Sequence, residues 1–164
     1  LALHHQTLLG ALVVVDIAPT AYPHTHDPLV EAMKSLDLAT IRNRREAEMQ
    51  LEKAIPEKTL RQFLLQNLRS TSDGLRWRIN LEVIHRQMGA LTGFDIAAAP
   101  CDLPSLFIYG TQSDYVTPKT KPAILQQFPK AQLVAIEGAG HWLHAQEPQK
   151  FLQAFQDFAD ASET

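Results

Sequence analysis

The apolar positions of the chain follow two different rhythms. Three continuous apolar runs predict strands that are covered on both faces, as in a parallel sheet. They span residues 11–15, 105–110 and 132–136. Apolar residues spaced three and four apart predict amphipathic helices elsewhere. These helices cover residues 118–128 and 148–158, and a helical end precedes Gly10 over residues 1–9. The two ends of the chain therefore predict an α/β fold with three parallel strands and flanking helices.

The middle of the chain, residues 20–98, has a different pattern, which predicts a helical insertion between two strands. Its helical stretches are predicted over residues 27–53, 58–68 and 81–88. Ser72-Asp73-Gly74 is a turn signal, and the alternation that follows it over residues 75–79 favours a short extended piece. The predicted division is therefore residues 1–19 with 99–164 as the α/β core and residues 20–98 as an inserted unit.

Composition and charge exclude several classes of function. A formal net charge of −3 with scattered basic residues offers no patch for nucleic acid. The longest apolar stretch, residues 8–15, is far shorter than the roughly 20 residues that a membrane helix needs. A single cysteine, Cys101, cannot form an internal disulfide, which is typical of a reducing compartment. We expect a soluble cytoplasmic protein that binds neither nucleic acid nor membrane.

The strongest chemical signal is His141, which follows the third apolar run in the segment Glu137-Gly138-Ala139-Gly140-His141-Trp142. Flanking glycines allow backbone angles that other residues resist, so they favour a loop that presents the imidazole. Asp16 leaves the first apolar run in the same way. Open α/β sheets keep their chemistry at the carboxyl ends of their strands, and both residues are predicted there.

Three segments together resemble one family. Residues 14–19, 107–116 and 138–144 are similar to the sixth strand, the seventh strand and the histidine loop of α/β-hydrolases, and most of all to the small YbfF-type acyl esterases and thioesterases. The resemblance covers the C-terminal portion of that fold. It implies that residues 20–98 form a helical cap over the site. It also implies a serine hydrolase that cleaves carboxylic ester or thioester bonds of small-to-medium acyl substrates through an acyl-serine intermediate, without a cofactor.

By this resemblance His141 is the general base of a serine, acid and histidine triad. Most family members carry the acid three residues after the glycine that ends the seventh strand, and that position here is Ser113, with Asp114 next to it. In the YbfF-type branch the acid comes from the end of the sixth strand, which corresponds to Asp16, and the serine joins the hydrogen-bond network. We favour Asp16 as the acid, Ser113 as a supporting residue, and Asp114 as the alternative acid.

The nucleophile is expected outside this sequence. No serine in it has the Gly-x-Ser-x-Gly surroundings of a nucleophile elbow. One helix and a short loop would place the serine roughly two dozen residues before Asp16, which is upstream of Leu1. We therefore expect a fragment that is inactive alone, that has an uncovered strand edge, and whose partner is the missing N-terminal half of the same enzyme.

Several further assignments stay as hypotheses. Apolar candidates for lining a substrate pocket, which core packing would explain equally well, are Trp142, Tyr115, Trp77, Met88 and Phe94. The segment His24-Thr25-His26-Asp27 looks like a metal site, but no companion ligands follow at a convincing spacing, so no metal is expected. The alternatives to an esterase are a dehalogenase or carbon–carbon hydrolase, and a non-catalytic hydrolase-like module.

Overall fold

A computed structural model describes residues 1–23, 26–96 and 98–162. The described residues form five strands and eight α-helices. The strands are β1 Leu12–Val15, β2 Leu68–Thr71, β3 Gly74–Trp77, β4 Ser105–Gly110 and β5 Ala131–Ile136. The helices are α1 Asp27–Lys34, α2 Arg44–Leu51, α3 Lys58–Leu64, α4 Leu81–Arg86, α5 Met88–Thr92, α6 Lys121–Gln127, α7 Leu143–Gln146 and α8 Pro148–Ser162. Short 3-10 turns span Gln6–Leu8 and Leu65–Asn67.

The chain divides into two compact units. The first contains residues 1–21 and 94–164, and the second contains residues 22–93. In the first unit β1, β4 and β5 form a parallel sheet in the order β1-β4-β5. The three parallel strands and the flanking helices predicted from the apolar runs are therefore confirmed.

The central strand β4 organises the core of the first unit, since every residue in it is buried. Its side chains alternate between two faces, as the pleat of a strand requires. Phe107 and Tyr109 pack in a cluster with Ile124 of α6, whereas Leu106 and Ile108 pack in a cluster with Phe158 of α8. Helices on both faces of β4 hold its carboxyl end in place, and the site is built at that end.

Strand β1 lies at one edge of this sheet, because in the described residues it pairs only with β4. Its residues contact both core clusters, as predicted, through Leu12 and Val14 on one face and Val13 on the other. They are less buried than the continuous apolar run predicts, and Val15 is 37% exposed. Among the described residues no strand lies on the second side of β1, and this edge position explains the exposure.

The second unit combines α1 to α5 with the antiparallel hairpin of β2 and β3. Asn43 and Asn80 accept backbone N–H bonds at the starts of α2 and α4, which satisfies donors that a helix leaves unpaired. The buried side chain of Arg61 donates to the carbonyl oxygens of Ile55 and Pro56, both at 2.8 Å, and so closes the loop where proline interrupts the helical pattern.

Several predicted elements differ from those observed. The helical stretch expected over residues 27–53 is two helices, α1 and α2, and the stretch expected over residues 81–88 ends at Arg86, with α5 beginning at Met88. The helix expected over residues 58–68 ends at Leu64, because Leu68 pairs with Trp77 across the hairpin. The helical end expected over residues 1–9 is only a 3-10 turn. On α8, Phe158 and Phe151 face the core, while Leu152 and Phe155 are exposed, so the expected common face is narrower than predicted. No helix in the described part of the chain has the length and apolarity needed to cross a membrane.

Candidate active site

Asp16 lies directly after β1 and is 1% exposed. Its backbone N–H donates to the carbonyl oxygen of Ile108 at 2.8 Å, which continues the pairing of β1 with β4. Its φ angle is 50°, in the left-handed region that residues other than glycine rarely occupy. Such conformations are often kept where a side chain must point in a required direction. This turn directs the carboxylate toward the carboxyl end of β4.

The Asp16 carboxylate accepts three hydrogen bonds from three different parts of the first unit. Oδ1 accepts from the backbone N–H of Gly110 at 3.1 Å. Oδ2 accepts from Ser113 Oγ at 2.5 Å and from His141 Nδ1 at 2.7 Å. A buried carboxylate without donors would be strongly unfavourable, and these donors replace the water that the charge has lost. The site is thus built to keep a negative charge beside the imidazole.

The loop that carries His141 is held on both sides of the residue. Gly138 has a φ angle of 81°, and its N–H donates to Thr111 Oγ1 at 2.9 Å. The N–H of Gly140 donates to Gln146 Oε1 at 2.7 Å. Ala139, between the two glycines, is fully buried. The position of the imidazole therefore depends on an anchored loop rather than on an exposed tip.

Gly110, the last residue of β4, is in close contact with this loop. A Cβ atom at Gly110 would lie 2.3 Å from the carbonyl oxygen of Ala139 and 2.4 Å from that of Gly140. Both distances are shorter than van der Waals contact allows, and both involve backbone atoms. Only glycine permits the end of β4 and the histidine loop to approach so closely.

The hydrogen bond to Asp16 determines which nitrogen of His141 carries the proton. An ionised carboxylate only accepts hydrogen bonds, so Nδ1–H of His141 is the donor in the neutral imidazole. Nε2 then carries a lone pair, and the His141 side chain is 52% exposed. An imidazole in this tautomer can take a proton from a hydroxyl group placed near Nε2. The pair has the geometry of a general base with its orienting acid.

The two other acid-site candidates are placed differently. Ser113 Oγ donates to the same Asp16 oxygen that binds His141 Nδ1, so it lies on the side of the imidazole away from Nε2. Asp114 is exposed. The structure therefore brings Asp16, Ser113 and His141 together, while the carboxylate bonded to His141 is that of Asp16.

Of the predicted pocket residues, Tyr115 lies against His141, with ring centroids 4.5 Å apart and an angle of 29° between the ring planes. Burial, with a further contribution from the Asp16 carboxylate, raises the pKa of Tyr115 above that of a free phenol. Trp142 is half-buried beside His141 in sequence. Met88 is buried in a cluster of the second unit, against which Trp77 also packs. Phe94 is half-buried.

Metal ligands are not grouped in the described residues, where no set of three or more His, Cys, Asp or Glu side chains is placed to hold an ion. His24, from the suspected His-x-His-Asp segment, lies outside the residues that the structure describes. Asp27 of that segment is the first residue of α1.

Three features of the site were not predicted from the sequence: the close approach at Gly110, the ring of Tyr115 on His141, and the hydrogen bond from Gly140 to Gln146. Only Gly110 had a signal, as a glycine ending an apolar run.

The fold and the site geometry agree with a comparison against protein families. A sequence model of the alpha/beta hydrolase family matches residues 1–154. The chain belongs to the α/β-hydrolase family. The family resemblance, and the α/β fold with a parallel sheet and flanking helices, are confirmed.

Curated relatives extend the comparison. The chain is 37% identical over 164 residues to the sn-1-specific diacylglycerol lipase ABHD11 of Danio rerio, which covers 96% of this chain and 51% of that protein. It is 35% identical over 151 residues to the esterase YbfF of Escherichia coli strain K12, which covers 92% of this chain and 58% of that protein. This α/β-hydrolase chain thus spans about half the length of the curated relatives it matches.

Solved structures agree with the same family. A marine microorganism esterase superposes with a TM-score of 0.89 at 39% identity, covering 94% of this chain and 62% of the other. The E-2-(acetamidomethylene)succinate hydrolase superposes with a TM-score of 0.63 at 18% identity, covering 97% of this chain and 60% of the other. The second likeness shows the fold alone. The first likeness is to a protein described as an esterase.

Proposed function

We propose that the whole protein is a serine esterase in which His141 is the general base and Asp16 the acid of the triad. The observation that carries this proposal is the 2.7 Å bond between His141 Nδ1 and the buried Oδ2 of Asp16. A solvated carboxylate would bind an imidazole only weakly, whereas a buried one holds a single tautomer and favours the imidazolium form. The names of the relatives, an esterase and a lipase, support ester bonds as the target.

The proposed reaction has two steps. Nε2 of His141 takes the proton of a serine hydroxyl while the serine oxygen attacks the acyl carbonyl carbon. The imidazolium then gives this proton to the departing alcohol or thiol, which leaves an acyl-serine. Water repeats the sequence in the second step: His141 removes a proton from water, the acyl group leaves as a carboxylic acid, and the serine recovers its proton. No step needs a cofactor.

The serine is proposed to come from a part of the enzyme outside these 164 residues. The chain has no Gly-x-Ser-x-Gly sequence. Ser113, whose hydroxyl is nearest to the pair, is bonded to Asp16 on the Nδ1 side, where it cannot receive help from Nε2. We propose that Ser113 stabilises the negative charge of Asp16, and that Asp114 has no part in proton transfer.

Substrate choice is also a proposal. Acyl esters or thioesters of small-to-medium length fit the resemblance to acyl esterases, and the relatives' names fit ester substrates. We propose that the predicted cap, residues 20–98, selects the acyl group. Most of it forms the second compact unit, residues 22–93, whose apolar residues include Trp77 and Met88. Within the first unit, we propose that Trp142 and Tyr115 contact the acyl group beside His141.

A cytoplasmic location completes the proposal. Cys101 is buried and free, as is common in proteins of reducing compartments. Cell fractionation followed by immunoblotting would test it, since recovery outside the cytosolic fraction would contradict the assignment.

The proposal predicts a large loss of activity in His141→Gln. Hydrolysis of p-nitrophenyl esters from acetate to decanoate, and of an acyl thioester, is measured with the whole protein. Removal of the general base should lower kcat by at least about 10⁴-fold, because glutamine cannot take a proton at neutral pH. His144→Gln is the matched control, since His144 is exposed on α7 and its ring contacts Phe151. We expect this control to keep most of the activity. Equal activity in the two variants, or no ester turnover by the wild type, would refute the proposal.

A further inference from the structure

The imidazole of His141 is held by more than its hydrogen bond to Asp16. One bond at Nδ1 fixes the tautomer but leaves the ring able to tilt, because the second torsion of a histidine side chain has a broad energy profile. Half of the side chain is exposed, so solvent offers little resistance to this tilt. A general base needs Nε2 in a fixed direction, since small misplacements of reacting groups cost a large part of the rate.

Tyr115 supplies a contact on the face of the ring. Its own ring lies 4.5 Å from the imidazole, centroid to centroid, at 29° from parallel. Stacked rings at this separation attract each other, and a ring face also attracts a cation, so the contact persists when the imidazole becomes protonated. The contact restricts the tilt that the single hydrogen bond leaves open.

The backbone of Tyr115 is itself fixed on both sides. Its N–H donates to Ser113 Oγ at 3.3 Å, and its carbonyl oxygen accepts from Thr120 Oγ1 at 3.1 Å. The next residue, Val116, is buried in the core cluster of β4. Because its backbone is anchored, the Tyr115 ring can restrain the His141 imidazole. A ring on a mobile loop would move together with the imidazole.

We propose that Tyr115 is a positioning residue that holds the His141 imidazole by ring stacking, so that Nε2 points toward the reacting hydroxyl group. This inference rests on the proposed function of His141 and deepens it. The aromatic ring carries the effect, so phenylalanine can replace tyrosine but leucine cannot.

The first test uses NMR and needs no turnover. The whole protein is labelled with ¹³C-histidine, and the His141 signals are assigned with His141→Gln. In the wild type, nuclear Overhauser contacts should connect the Tyr115 ring protons with the imidazole protons, and the ring current should move those imidazole signals upfield. Tyr115→Phe should keep this displacement and Tyr115→Leu should abolish it, while the His144 signals stay unchanged in both. A wild type without these contacts would overturn the proposal, whether or not Tyr115→Leu folds.

The second test measures turnover. We expect Tyr115→Leu to lower kcat about tenfold, which is more than it raises KM, and Tyr115→Phe to restore kcat. A rise in KM with unchanged kcat, together with unchanged His141 signals, would mean that the ring only contacts substrate and would overturn the inference. The NMR result does not depend on catalysis. If the stacking contacts are present but the protein hydrolyses no ester, the proposed function is refuted while the packing of Tyr115 on His141 stands.

Discussion

Asp16→Asn is expected to lower the kcat of ester hydrolysis by about 10⁴-fold in the whole protein. An asparagine side chain has no negative charge to stabilise the imidazolium. Its amide NH₂ can donate to Nδ1 of His141, which would reverse the tautomer and place the proton on Nε2, where the lone pair is needed. KM should change little, because Asp16 is buried behind the imidazole and is bonded to Gly110, Ser113 and His141.

The matched control is Asp114→Asn. This carboxylate follows Ser113 in the sequence and is exposed, so the same chemical change is made without touching the bond to His141. We expect its kcat to stay within about twofold of the wild type, as is usual for exposed substitutions that alter no buried contact. The reverse ranking, with Asp114→Asn inactive and Asp16→Asn active, would show that the acid had been assigned to the wrong residue.

Gly110→Ala is expected to destabilise the protein by about 3 kcal/mol and to inactivate it. The added methyl group would lie 2.3 Å from the carbonyl oxygen of Ala139 and 2.4 Å from that of Gly140. Neither oxygen belongs to a side chain that could rotate away, so the loop carrying His141 must move. Urea unfolding gives the loss of stability, and ester hydrolysis gives the loss of activity.

Gly10→Ala provides the comparison for this substitution. A Cβ atom at Gly10 would have no heavy atom within 4 Å. Its stability should therefore stay within about 0.5 kcal/mol of the wild type, as for most surface changes. If Gly110→Ala were as stable as Gly10→Ala, the close approach of β4 to the histidine loop would not exist in solution.

The sheet was predictable from the sequence because each of its strands coincides with a continuous apolar run. Residues 105–110 are an example, since the predicted range is the observed strand β4. A strand buried on both faces needs apolar side chains at every position, and this pattern differs from that of a helix. Local composition was therefore sufficient to place these strands.

The hairpin of the second unit shows where local patterns fail. Leu68 continues the apolar spacing of α3, so the sequence predicts that the helix includes it. In the structure Leu68 is buried and pairs with Trp77, and Gly74 at the turn has a φ angle of 113°. The pairing of Leu68 with Trp77 across the hairpin outweighs helix periodicity, and the apolar spacing that continues α3 carries no sign of that pairing.

The candidate site was predictable in part, for a similar reason. The glycines around His141 identify a loop that presents an imidazole, and the family resemblance favours Asp16 over Asp114. From the residues alone, either Asp16 or Asp114 could be the acid. The structure distinguishes them because Asp16 is buried and Asp114 is exposed, and this burial depends on the packed sheet. The ring of Tyr115 on His141 was not predictable, since it depends on how the loops after β4 and β5 meet.

Labelling of the whole protein with a fluorophosphonate, followed by peptide mass mapping, tests the central claim most directly. The account predicts one adduct on a serine outside the 164 residues of this chain. The adduct should be nearly lost in Asp16→Asn and His141→Gln and retained in Asp114→Asn. An adduct on Ser113, or labelling that persists without His141, would contradict the claim that Asp16 and His141 activate a serine supplied by the rest of the enzyme.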